Sequence, residues 1–160
     1  MSNFNSQKII APIMRFVNMK GIIALKDGML AILPLTVVGS LFLIIGQLPF
    51  EGLNQAIASV FGDTWTEPFM QVYSGTFAIM GLISCFSIGY SYAKNSGVEP
   101  LPAGVLSLSS FFILLKSSYV PAKGEPIGDA IAKVWFGGQG IIGAIIIGLV
   151  VGAIYTVFIQ

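Results

Sequence analysis

The chain alternates long uncharged apolar runs with short polar stretches. Gly28–Phe50 carries no charged residue, and neither do Pro68–Ala93, Pro100–Leu115 and Gly138–Ile159. A helix crosses the hydrocarbon core of a bilayer in roughly 20 residues, at about 1.5 Å each. The first, second and fourth runs meet that length. Pro100–Leu115 falls short, and crosses only if Lys116 snorkels or the bilayer thins around it. A re-entrant hairpin is the competing reading of that run. Pro100 and Pro102 suit a helix start. Pro34, in the first half of the first run, predicts a kink, with neighbouring groups satisfying the freed carbonyl.

The polar stretches have patterns of their own. In Lys8–Lys26, a helical wheel gathers Lys8, Arg15 and Lys26 on one stripe. Ile9, Ile10, Ile13, Phe16, Val17 and Ile23 fall opposite. That predicts a helix lying in the membrane interface, with a solvated tail as the alternative. Within Glu51–Glu67, Leu53, Ile57, Val60 and Phe61 recur at i, i+4, i+7 and i+8, which predicts a short interfacial helix. Phe61, Trp65 and Phe69 suit one aromatic belt, and Tyr90 and Tyr92 the other. Lys94–Glu99 reads as a tight turn, and Lys116–Lys133 as a polar loop. No signal-peptide cleavage pattern follows Ile9–Val17, so the N-terminus is expected to be retained.

The class expected from this pattern is all-α: a polytopic membrane protein with about four transmembrane helices. Residues 1–26 form a cytoplasmic segment with the interfacial amphipathic helix, and residues 27–160 form the transmembrane part. Composition agrees. Charged residues are 9 % of the chain and hydrophobic residues 55 %, against about 25 % charged in soluble domains. The lipid bilayer is therefore the first partner. A net charge of +1 gives no case for nucleic acid.

Charge also sets orientation. Lys8, Arg15, Lys20 and Lys26 precede the first run, whereas the first loop has Glu51, Asp63 and Glu67 and no basic residue. Basic flanks stay in the cytoplasm, so both ends of a four-span chain face that side. Lys116, Lys123 and Lys133 in the last loop run against this, and the first span is expected to dominate.

Candidate chemistry is sparse. Cys85 is the single cysteine and there is no histidine, so no disulfide, metal set or imidazole base can be assembled. No catalytic residue, metal ligand or cofactor is expected. Cys85 reads as a small apolar residue. The four runs hold no Asp, Glu, Lys or Arg, which disfavours a proton-coupled exporter of the small multidrug type. Ser84, Ser87, Ser91, Ser107, Ser109 and Ser110 place hydroxyls at membrane depth. They could bond a sugar or, more commonly, their own helix carbonyls. With only Gln47 and Gln71 beside them, no substrate-binding residue stands out.

Small residues form two ridges. Gly140, Ala144, Gly148 and Gly152 recur every fourth position. Ser74, Ala78, Gly81, Cys85 and Gly89 share one helical arc. Such ridges let helix backbones approach closely, either within one subunit or across a homodimer seam.

At Leu25–Pro49 the chain resembles the start of the lactose/cellobiose/N,N′-diacetylchitobiose family of enzyme IIC, the membrane subunit of the phosphoenolpyruvate-dependent sugar phosphotransferase system. The matching residues are Lys26-Asp27-Gly28, Pro34-Leu35, Val38-Gly39-Ser40-Leu41-Phe42 and Leu48-Pro49. Ser87–Lys94, Ala103-Gly104 and Ser109–Phe112 extend the likeness. The resemblance implies a multi-pass protein of the bacterial cytoplasmic membrane with roughly ten spans, as in large α-helical transport domains. It implies that these 160 residues are the N-terminal scaffold and dimerisation half. It further implies that the sugar-contacting histidine and glutamate lie in a C-terminal half. The complete protein would pass a β-linked disaccharide (cellobiose, diacetylchitobiose or lactose type) to the cytoplasmic side for phosphorylation. The phosphoryl group would come from a cysteine of enzyme IIB, charged by enzyme IIA. The chain itself is then expected to be an N-terminal fragment or a truncated product. The alternative is a free-standing four-span protein that oligomerises in a structural or regulatory role.

Overall fold

The computed structural model describes residues 18–115, 118–119, 127–128, 131 and 133–160. Seven α-helices carry it: α1 (Lys20–Ala31), α2 (Leu33–Gly46), α3 (Glu51–Phe61), α4 (Glu67–Gly75), α5 (Met80–Asn95), α6 (Pro100–Leu114) and α7 (Ile141–Ile159). Short 3-10 turns precede α5 at Phe77–Ile79 and α7 at Lys133–Phe136 and Gly138–Gly140. Between α6 and α7 the backbone makes one two-residue antiparallel pairing, Ser118 with Gly128 and Tyr119 with Ile127.

Among the described residues, three helical stretches are long and apolar enough to cross a membrane: Lys20–Gly46, Glu67–Asn95 and Gly138–Ile159. Pro100–Leu114 is a fourth, shorter apolar helix. It is one continuous helix running antiparallel beside α5, not a hairpin. Its 15 residues extend about 22 Å.

The first stretch differs from the expected Gly28–Phe50. Helix begins at Lys20 and ends at Gly46, so Lys20, Lys26 and Asp27 lie inside it and Gln47–Phe50 lie outside. The Lys20–Lys26 part of the expected interfacial segment is therefore the first turns of α1, whereas Lys8–Val17 lie outside the described residues. An amphipathic stripe and the end of a span look alike in sequence, because long basic side chains reach the interface from either. The kink expected from Pro34 is present. Ile32 separates α1 from α2, and Pro34 sits in the first turn of α2, where its missing N–H costs nothing.

The second stretch is also interrupted, which the sequence pattern does not predict. Thr76 leaves helical geometry at φ −125° and ψ −86°. Its hydroxyl donates to the Val72 carbonyl at 2.7 Å, and its backbone N–H reaches the Tyr73 carbonyl at 3.2 Å. Backbone groups freed by a break at membrane depth are thus satisfied locally, as lipid demands.

α3 confirms the expected helix of the first loop. None of its residues is buried, and Leu53, Val60 and Phe61 are exposed. An amphipathic helix whose apolar side stays largely exposed suits the membrane interface.

The core is organised around α5, which packs against α1, α6 and α7. α2 instead packs against α4. The two broken stretches therefore run side by side and antiparallel. Gly28 lies at Ile88, Gly39 at Thr76–Phe77 and Gly46 at Phe69–Met70. α7 runs parallel to α5: Gly148 lies at Cys85–Ile88, Gly152 at Gly89–Tyr92, and the Gln160 side chain donates to the Ser96 carbonyl at 3.2 Å. Lys20, Ser96 and Gln160 thus share one end of the bundle, as alternating crossings require.

Candidate functional site

The chemistry of this chain lies in the seams around α5 and in one hollow at its C-terminal end. Each seam is built on a glycine. A Cβ added to Gly148 would sit 2.9 Å from the Cys85 carbonyl oxygen and 3.0 Å from the Ile88 Cβ. At Gly152 it would sit 2.9 Å from the Tyr92 Cβ. At Gly81 it would meet the carbonyl oxygens of Gly137 and Phe136 at 2.7 and 2.8 Å. Gly89 faces Ser107 and the Ala103 carbonyl, and Gly140 faces the Trp135 carbonyl. Ala144 is fully buried with Cys85 and Phe111.

Six ridge residues, Gly81, Gly89, Gly140, Ala144, Gly148 and Gly152, are therefore buried in the structure, and at the glycines the neighbour is the same chain. Ser74 and Ala78 are only half-buried. The break at Thr76–Ile79 ends the helical register that would have aligned them with Gly81 and Gly89. Gly28, Gly39 and Gly104 enter the sequence analysis only through the family resemblance, with no packing role. A Cβ on Gly28 would lie 2.8 Å from the Ile88 backbone, and on Gly39 2.7 Å from the Phe77 Cβ. On Gly104 it would lie 2.7 Å from the Phe86 ring. A signal was available: Gly28, Gly39 and Gly46 are spaced by three and then two helical turns.

The hydroxyls expected at membrane depth fall into three groups, with Ser110 standing apart beside Leu106, Val151 and Tyr155 between α6 and α7. Ser84 donates to the Met80 carbonyl at 2.6 Å, Ser107 to Ala103 at 2.8 Å and Ser109 to Val105 at 3.0 Å. Thr156 on α7 does the same to Gly152 at 2.8 Å. These are helix back-bonds, which occupy the hydroxyl proton and leave no donor for a substrate. The Cys85 thiol lies 3.2 Å from the Ser107 carbonyl and is fully buried. A thiol so placed holds α5 against α6 and meets no aqueous reactant.

Ser87 and Ser91 face elsewhere, into a hollow of about 310 Å³ between α1 and α5. Asp27, Ala31, Phe86, Tyr90, Lys94 and Asn95 complete its lining. The Asn95 amide donates to Asp27 Oδ2 at 3.0 Å, and Lys26 Nζ lies 3.4 Å from Oδ1. Phe86 and Tyr90 stack along one wall, ring centroids 6.1 Å apart and 24° from parallel. Asp27 and Lys94 bring opposite charges into one concavity at the C-terminal end of α5. That pairing was not anticipated, because the expected span boundaries placed both residues outside the helices.

At the opposite end, Ile57, Phe61, Trp65 and Phe69 line an aromatic hollow between α3 and α4. Trp65 and Phe69 meet edge to face at 5.9 Å. Phe61, Trp65 and Phe69 thus come together from the loop helix and the start of the second stretch.

Comparison with known proteins agrees with this architecture. Residues 26–160 match the family described as phosphotransferase system, EIIC. The chain is 37 % identical to the lichenan permease IIC component of Bacillus subtilis (strain 168), over 96 % of its own length and 35 % of that protein. It is 36 % identical to the cellobiose-specific EIIC component of Geobacillus stearothermophilus, over 86 % of its length and 32 % of that protein. Among solved structures it superposes on the transporter ChbC, the IIC component of the N,N′-diacetylchitobiose-specific phosphotransferase system. The TM-score is 0.88 at 31 % identity, over 99 % of this chain and 38 % of that one. The chain thus spans about a third of the length of the proteins it matches. Its residues, its helix order and its superposition agree that the chain belongs to the EIIC family of the phosphotransferase system.

Proposed function

We propose that this chain is the scaffold part of a sugar permease that delivers a β-linked disaccharide to the cytoplasmic face for phosphorylation by an EIIB partner. The observation that carries the reading is the glycine-built packing of α5 against α1, α6 and α7. It commits the interior of this bundle to helix contact and leaves the Ser84, Ser107 and Thr156 hydroxyls bonded to their own helix carbonyls. A domain so filled supports a translocation path formed elsewhere in the complete protein. Relatives whose names specify cellobiose, lichenan and diacetylchitobiose support the substrate class.

The basic N-terminal flank supports a cytoplasmic N-terminus in a bacterial inner membrane. Homodimerisation belongs to the same reading. With the glycine ridges turned inward, the dimer contact falls to outward residues such as Ile142, Ile146, Val150 and Ile154 on α7, each at least half exposed.

The test is uptake of radiolabelled cellobiose in cells that lack their own system, supplied with the complete protein and its EIIB and EIIA partners. Accumulation of phosphorylated disaccharide is the expected result. The isolated 160-residue chain is expected to bind no disaccharide, and saturable binding by it in detergent would overturn the scaffold reading.

A further inference from the structure

The hollow between α1 and α5 is graded along the bundle axis. Asp27, Lys94 and Asn95 stand at its outer end, Tyr90 and Ser91 in the middle, and Ala31 and Phe86 at its inner end. From Phe86 to Lys94 is two helical turns, about 12 Å. The interfacial layer of a bilayer is about 5–8 Å deep on each side, with acyl chains beneath it. The gradient therefore covers the headgroup layer and the first part of the chains.

The surroundings match. Leu30 and Leu33, beside Ala31 on α1 and α2, point outward with half their surface exposed.

Its charges are complementary to a zwitterion. Asp27 Oδ2 accepts from the Asn95 amide, and Oδ1 pairs with the Lys26 ammonium. A carboxylate oxygen accepts two, so capacity remains for further N–H donors. Lys94 lies across the hollow as a flexible ammonium suited to a phosphodiester. Ser91 offers a hydroxyl at the depth of glycerol and ester oxygens, and the Phe86–Tyr90 wall offers an apolar face below it.

The geometry points to a binding site for an aminophospholipid, with the primary ammonium of the headgroup on Asp27, its phosphate on Lys94 and its chains leaving past Phe86. A primary ammonium is required because a quaternary one has no N–H to donate to the carboxylate. The proposal rests on the membrane reading and is independent of which sugar is transported.

The test uses the complete protein purified in mild detergent. It is titrated with phosphatidylethanolamine, phosphatidylcholine or phosphatidylglycerol of matched chains, and retained lipid is read by native mass spectrometry. The ethanolamine lipid is expected to be retained severalfold over the other two. Asp27→Asn should reduce it to the level of the choline lipid. Lys94→Gln should weaken all three, and Lys94→Arg should restore them. Glycerophosphoethanolamine, the same headgroup without chains, should compete poorly. Equal retention of the three lipids by the unaltered protein overturns the proposal, with no variant needed. So does a preference for the anionic lipid, unchanged retention in Asp27→Asn, or competition by the free headgroup as strong as by the lipid.

Discussion

The same substitution made at two glycines of α7 should move stability in opposite directions. At Gly148 a methyl group would press on the Cys85 carbonyl oxygen at 2.9 Å and the Ile88 Cβ at 3.0 Å. One is backbone and the other a branched carbon fixed to it, so neither rotates aside. Forcing a methyl into a filled core costs about 1–3 kcal/mol. Exchanging glycine for alanine within a helix returns roughly 1 kcal/mol. The rigid neighbours favour the upper part of the cost, leaving Gly148→Ala destabilised by about 1–2 kcal/mol. At Gly143, on the same helix, no heavy atom lies within 4 Å of the added Cβ. Gly143→Ala should therefore be neutral or gain up to about 1 kcal/mol. The assay is the melting temperature of the complete protein in detergent, where each kcal/mol shifts the midpoint by roughly 2–4 °C or less, since the shift shrinks as the chain lengthens. Gel filtration of both variants reports the oligomer. If Gly148→Ala melts with or above the parent, or if it dissociates a dimer without lowering the melting temperature, the α5–α7 seam is not what this glycine serves.

Four further expectations follow from the same contacts. Cys85, fully buried, should resist a maleimide in native membranes and react only after denaturation in detergent; labelling of intact membranes would show that α5 and α6 part. Asn95→Ala removes the amide that Asp27 accepts at a solvent-accessible site, and should lower stability by no more than about 1 kcal/mol as read by melting temperature. Gly39→Leu should unfold the packing of α2 on α4 far more than Gly75→Leu, because Phe77 fills the space beside Gly39 and nothing lies within 4 Å of a Cβ on Gly75; limited proteolysis separates the two. In a Cys85→Ala background, Asp63→Cys should react with an impermeant thiol reagent on intact cells and Lys94→Cys should not; the reverse pattern would invert the proposed orientation.

The all-helical class and the long apolar stretches could be read from this sequence because each rests on a pattern that local physics writes directly, whereas the family was legible only through resemblance. Uncharged runs of membrane length, an i, i+4, i+7 repeat in Glu51–Phe61 and Pro34 in a first turn all determine their own backbone. Which side a small residue faces is a different kind of information. Gly148 packs on α5 because α7 runs parallel to it, and that direction depends on how many times the intervening chain crosses. The break at Thr76 shows the limit most clearly. No proline or charge marks it, and Thr76 satisfies its own freed backbone through Val72 and Tyr73. Gly39 supplies the other half of the arrangement, since only a residue without a side chain admits Phe77 where the second stretch leaves its helix. The break thus belongs to a pair of positions far apart in the chain. Gly39 does not depart from an ordinary apolar run on its own, and Ser74-Gly75-Thr76 only weakens a helix without fixing where it breaks, so a reading that takes one run at a time passes over the pair.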